Sequence, residues 1–172
     1  TGWLALMAGL AGGAHVILVP EKPFDIESIC DVIKRRKSEG KTYSIIAVAE
    51  GAKPKALEDL VTAAEEKDEF GHVRLGGIAQ VLEKEIGERT GLEVRSVVLG
   101  HLQRGGPPNS FDRIMGIRLG LCAVDLIKQR KIGYAACLRG TEIVPVRIGD
   151  LTGKLKTVQE DLLKLTEIFS KS

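Results

Sequence analysis

The sequence predicts an α/β fold: a mainly parallel sheet with helices on both faces. Three observations carry this. The runs Val16–Val19 and Tyr43–Ala49 are strongly apolar rather than alternating, as strands covered on both faces are. Ile26, Ile29, Cys30 and Ile33, and again Ile78, Val81, Leu82 and Ile86, recur at helical spacing with polar residues between them. Strand-like and helix-like segments alternate along the chain, the pattern of crossover-connected parallel strands.

Taken in order, residues 3–10 form an apolar helix, which Gly12-Gly13 ends by admitting a left-handed backbone. A buried strand follows and stops at Pro20. His15 reads as a plain surface histidine at the strand's edge. Pro23-Phe24-Asp25 makes a turn, with Asp25 as N-cap of a helix closed by Ser38-Glu39-Gly40-Lys41. Tyr43–Ala49 is the next strand, and Glu50 stands at its carboxyl end, where open α/β sheets bind ligands. By local pattern alone that glutamate is merely exposed. Residues 54–72 are charged and poor in large apolar groups, as an exposed loop with some helix would be, and Phe70–Gly77 leads into the Ile78 helix. His72 and Arg74 could touch a phosphate, though nothing local compels it. Arg89-Thr90-Gly91 ends that helix and a strand begins near Arg95. Beyond it come a helix from about Ser110 to Gln129, a strand Ala135–Leu138, the segment Glu142–Ile148 and an amphipathic helix over about Val158–Phe169.

A chain of 172 residues is long enough to bury a core, and its formal charge of +2 argues against nucleic acid as the main partner. Lys34-Arg35-Arg36-Lys37 is flanked by acidic residues and reads as a solvated helix face. Cys30, Cys122 and Cys137 are odd in number, lack metal-ligand spacing and lie in apolar contexts, so buried reduced thiols are expected. The first nineteen residues are nearly uncharged, but Gly12-Gly13 interrupts them and no basic start marks a signal peptide. No membrane partner is expected. No internal repeat, heptad pattern or low-complexity segment is present.

The stretch Arg95–Arg113 carries the chemistry. Aliphatic residues lead to His101, Gln103 and Arg104, then Gly105-Gly106-Pro107-Pro108 breaks the chain, and Ser110 offers an N-cap to the following helix. Glycines let a backbone approach an anion, a helix N-terminus favours negative charge and Arg presents a forked donor. The same two glycines also suit a bare turn, and the local pattern does not choose between these readings.

The sequence Val98-Leu99-Gly100-His101-Leu102-Gln103-Arg104-Gly105-Gly106-Pro107, followed by Phe111-Asp112-Arg113, closely resembles the sugar-phosphate-binding segment of the 6-phosphofructokinases. Thr1-Gly2-Trp3-Leu4-Ala5-Leu6 resembles the helix after that family's Met-Gly-Arg motif. Ile17-Leu18-Val19-Pro20-Glu21 and Val48-Ala49-Glu50-Gly51 resemble two of its strand ends. Phe70-Gly71-His72-Val73-Arg74-Leu75-Gly76-Gly77 and Leu138-Arg139-Gly140-Thr141-Glu142-Ile143-Val144 resemble the bacterial branch that uses ATP or pyrophosphate. The family's glycine-rich phosphate loop and Asp-bearing catalytic motif match nothing here, so the expectation is the C-terminal half of such an enzyme.

The resemblance implies a phosphofructokinase-like fold, with a sugar-phosphate-binding α/β domain over 1–104 and a segment 105–153 packing on the donor-binding domain. Residues 154–172 would form a helix returning to the sugar domain. It implies phosphoryl transfer to the 1-hydroxyl of fructose 6-phosphate, giving fructose 1,6-bisphosphate in glycolysis, with ATP or pyrophosphate as donor. Mg2+ and the catalytic carboxylate belong to the donor half, so no catalytic residue is expected here and this chain alone should be inactive. Arg95, His101 and Arg104 match positions that bind the sugar's phosphate, Gln103 lies among them, and Glu50 accepts hydrogen bonds from the fructose hydroxyls. Phosphate binding favours the protonated form of His101. The counterpart of Arg95 reaches into a neighbouring subunit, which implies a homodimer or homotetramer in the cytoplasm. His15 stands where an acidic residue helps bind a metal-associated effector. Glu39 replaces one cation of a basic pair of which Lys41 is the other, so effector control is not expected. The alternative is a non-catalytic sugar-phosphate-binding or regulatory module; a donor-binding segment upstream of Thr1 would distinguish the two.

Overall fold

The computed structural model describes residues 1–55, 66–67, 73–74, 77–153 and 155–169. They fall into two compact units: residues 1–98 with 156–172, and residues 99–155.

The first unit is built on a short parallel pair. Helix α1 (Trp3–Ala11) begins after Gly2, where a side chain would stand 2.4 Å from Cβ of Val19, and ends before Gly13 with φ of +68°. Strand β1 (Val16–Leu18) lies parallel to β2 (Ile46–Val48) in the register Val16–Ile46, Ile17–Ala47, Leu18–Val48. The alternation of a strand sends its side chains to two cores. Val16 and Leu18 join one cluster with Ile26, Ile29, Cys30 and Ile33 of helix α2 (Ile26–Ser38) and with Ile78, Leu82 and Ile86 of helix α3 (Ile78–Thr90). Ile17 and Val19 join a second with Leu6 of α1, Val158 and residues of helix α6 (Glu160–Phe169). Helices therefore cover both faces of this pair, as the flush apolar runs predict. The α2 and α3 residues named from helical spacing are all buried. Asp25 caps α2, accepting from the Ser28 N–H at 3.1 Å, and Gly91 closes α3 with φ of +66°.

The second unit holds a 3-10 helix (Gly100–Arg104), helix α4 (Ser110–Lys128) and strands β5 (Tyr134–Arg139) and β6 (Glu142–Arg147), followed by the short helix α5 (Ile148–Leu151). The two strands form an antiparallel hairpin packed on α4, where Leu126 is buried. Strands β3 (Glu66–Lys67) and β4 (Val73–Arg74), in the first unit, make a further antiparallel pair.

Several expectations are corrected. Of the three two-stranded sheets among the described residues, one is parallel, so a mainly parallel sheet is not what these residues form. The β5–β6 link is the two-residue turn Gly140-Thr141, with Gly140 at φ of +61°, and so short a connection joins only antiparallel strands. The strand expected at Arg95 does not form: residues 92–98 lie outside all of these sheets. Asn109, not Ser110, caps α4. Arg36 is 7% exposed, so the basic run of α2 is not wholly a solvated face. Among the thiols only Cys30 is buried, and burial pushes its pKa up; Cys122 and Cys137 are half-buried. His15 is no plain surface residue: its Nδ1 accepts the Ile45 N–H at 2.9 Å and its ring meets Tyr43 edge-on. The expectations for residues 56–65 and 68–72, His72 among them, and for the Arg74 side chain lie outside the described residues.

Candidate functional site

The carboxyl ends of β1 and β2 lie side by side, and each continues into a tight turn. After β2 the Ala49 N–H donates to the Leu18 carbonyl at 2.9 Å and the Ala52 N–H to the Ala49 carbonyl at 2.9 Å. Ala52 is buried, and a side chain on Gly51 would stand 3.2 Å from Pro20 at the end of β1. The turn is thus clamped from below while Glu50 is left exposed at its tip. Glu21, one residue past Pro20, is bound into the frame instead. Its carboxylate accepts the Gly2 N–H at 3.1 Å on both oxygens and the Val158 N–H at 3.1 Å. Burial raises the pKa of that carboxyl, but the backbone N–H groups of Gly2 and Val158, together with its own N–H and the N-terminal charge, hold it below its ordinary value.

Arg95 belongs to the same unit. Burial alternates along its segment: Leu92, Val94 and Ser96 are half-buried, whereas Glu93, Arg95 and Val97 are exposed. Leu92 and Val94 pack against the α2–α3 core. Residues two apart on an extended chain share a face, and Arg95 uses this by donating from Nε and Nη2 to Glu93 Oε1 at 2.8 and 2.5 Å.

His101, Gln103 and Arg104 share the 3-10 helix of the second unit, and all three are exposed. Gly100, at φ of +51°, admits the chain to this turn. At its far end the Gly105 N–H donates to the Leu102 carbonyl at 3.0 Å, and Gly106 takes φ of +93°. Gly106 is therefore needed for the turn itself, whereas Gly105 has extended backbone. The α4 N-terminus that follows is already complemented. Asn109 Oδ1 accepts the Asp112 N–H at 2.9 Å, and Asp112 Oδ2 accepts the Asn109 N–H at 3.1 Å. The Asp112 carboxylate supplies the negative charge this helix end favours, so the helix terminus is satisfied from within the chain.

The predicted residues thus fall into two groups, Glu50 and Arg95 in the first unit and His101, Gln103 and Arg104 in the second. Two open cavities of about 420 and 320 Å3 in the second unit are lined by other residues, among them Tyr134, Arg147 and Asp150 in one and Cys122, Asp125 and Gln129 in the other. Among the described residues no group of three or more His, Cys, Asp or Glu side chains is placed to hold a metal ion. Nor is any helix among them long and apolar enough to cross a membrane. Sequence reasoning missed three carboxylates that tie these segments down: Glu21, Glu93, and Glu83 of α3, whose Oε2 accepts the Ser96 N–H at 3.1 Å. The alternation Leu92–Val97 was a signal for Glu93, because it places that side chain on the face of Arg95.

A sequence profile described as phosphofructokinase matches residues 1–127. The chain is 50% identical over 169 residues to the pyrophosphate–fructose 6-phosphate 1-phosphotransferase of Amycolatopsis methanolica, covering 98% of this chain and 49% of that protein. It is 45% identical over 161 residues to ATP-dependent 6-phosphofructokinase 3 of Streptomyces coelicolor, covering 93% and 47% respectively. Its fold resembles that of a pyrophosphate-dependent phosphofructokinase from Marinobacter aquaeolei, with a TM-score of 0.71 at 22% identity over 94% of this chain and 40% of that one. The chain spans about half the length of the curated relatives it matches.

Proposed function

This chain belongs to the phosphofructokinase family, and we propose that it supplies the acceptor-binding half of a 6-phosphofructokinase. The reaction is phosphoryl transfer from ATP or pyrophosphate to the 1-hydroxyl of fructose 6-phosphate, giving fructose 1,6-bisphosphate. The observation that carries this reading is the exposed 3-10 helix of His101, Gln103 and Arg104, set between two left-handed glycines inside the region matched by the family profile. Arg104 binds the sugar's phosphate as a forked, permanently charged donor, and His101 binds it best when protonated. Gln103 adds a neutral amide. Glu50 accepts hydrogen bonds from the fructose hydroxyls at the strand end, and Arg95 serves the phosphate in the site of a neighbouring subunit, which makes a homodimer or homotetramer part of the mechanism.

Residues 105–153 pack on the donor-binding domain in this reading, and residues 154–172 return to the sugar domain. In support, α4 leaves Phe111, Ile114, Ile117, Leu121 and Val124 exposed at helical spacing. Mg2+ and the carboxylate that activates the attacking hydroxyl belong to the donor half, and the enzyme works in the cytoplasm.

Arg104→Ala in the complete protein tests the assignment. A lost charged hydrogen bond should weaken fructose 6-phosphate binding by roughly one to two powers of ten. A change below about twofold counts against it. Turnover with ATP compared with pyrophosphate identifies the donor, and absence of turnover with either would favour a non-catalytic sugar-phosphate-binding module.

A further inference from the structure

We infer that Glu83 is a positioning residue for Arg95, acting through Ser96. This rests on the reading that Arg95 binds a sugar phosphate.

An extended segment outside a sheet has no ladder to fix its register, and a long side chain on it inherits that freedom. Leu92–Ser96 lies outside every sheet among the described residues and alternates in burial as an extended chain would, and its inward positions do the anchoring. The first two are apolar: Leu92 and Val94 pack on the core, and the Leu92 N–H also donates to Thr90 Oγ1 at 3.3 Å. The third is polar. Ser96 has no apolar body to bury, and two residues beyond it the first compact unit ends. Glu83 meets it there. Its Oε2 accepts the Ser96 N–H at 3.1 Å and also the Ser96 hydroxyl.

Glu83 can hold this position because α3 is itself anchored in the core, with Ile78, Val81, Leu82 and Ile86 all buried. A charged acceptor taking two donors from one residue fixes both that residue's backbone and its side chain. Arg95 is thereby bracketed, by the packed Val94 on one side and the tied Ser96 on the other, while its own side chain stays exposed. The arrangement directs Arg95 outward without touching its guanidinium.

The test is a double-mutant cycle in the complete protein, read as the dissociation constant of fructose 6-phosphate by calorimetry. Glu83→Ala and Ser96→Ala should each weaken binding about three- to tenfold, whereas the effect of either should shrink below about twofold in an Arg95→Ala background. Glu83→Gln, whose amide oxygen still accepts the N–H, should recover most of the loss. Ser96→Ala removes one hydroxyl and carries the test if Glu83→Ala does not fold. Equal losses with and without Arg95 would mean that the tie serves the fold alone, and the inference would be overturned. So would unchanged binding in both single variants while Arg95→Ala binds weakly. If Arg95→Ala itself binds normally, the assignment of Arg95 fails and takes this inference with it.

Discussion

The guanidinium of Arg95 lies against a carboxylate two residues away on its own segment, so a phosphate arriving there competes with Glu93. Both side chains are well exposed, at 84% and 74%, which keeps the competition weak and salt-sensitive. Glu93→Gln should therefore tighten fructose 6-phosphate binding in the complete protein by about two- to fivefold at low ionic strength and have little effect at high salt. Weaker binding in the variant would show that Glu93 orients the arginine instead. His15 supports a different prediction. Burial, with the nearby Arg36 guanidinium and Lys41 ammonium, holds its pKa below the ordinary value of 6.5. The unfolded chain consequently binds a proton that the folded chain refuses, so stability drops as the pH is lowered through this window. The contribution is complete above about 6.5 and is lost as pH drops through the folded-state value. Protonation at Nδ1 would also remove the acceptor for the Ile45 N–H. Between about pH 7.5 and pH 5, wild type should lose more of its thermal midpoint than His15→Gln does; equal losses would show that other groups govern the acid limb.

The helices were legible because their burial follows one local rule. Asp25 and the apolar stripes of α2 and α3 stand where the spacing puts them. The start of α4 shows how small a misreading of a cap can be. Asn109 and Ser110 are adjacent and both suit the position; the choice falls to the residue three further on. From Asn109 that is Asp112, which can return a hydrogen bond, whereas from Ser110 it is Arg113, which has no acceptor. Asn109→Ala should cost about 1 kcal/mol of stability, measured by urea unfolding, and Asn109→Asp should retain most of it. A null result for the alanine variant would place the control of this helix end elsewhere. Strands were harder. An apolar run of strand length fixes no partner, so Tyr43–Ala49 shrinks to Ile46–Val48, the residues that face β1.

At the scale of the molecule, the exposed apolar stripe of α4 and the exposed Val97, Val98, Leu99 and Leu102 bear on association. The 172-residue chain made on its own should self-associate and bind an apolar dye, because exposed apolar surface seeks cover. Light scattering that finds a dye-silent monomer at high concentration would refute this and with it the packing role of residues 105–153. The sequence by itself determined the longer helices, the buried faces of α2 and α3, the strand-end placement of Glu50 and the family, since each depends on residues near one another in the chain. Tertiary structure alone decided the pairing of strands, the burial of Arg36, the use of His15 as an acceptor and the ties from Glu21 and Glu83. Those depend on which distant backbone donors come within reach of a side chain, and a hydrogen bond between residues far apart leaves no periodicity to read.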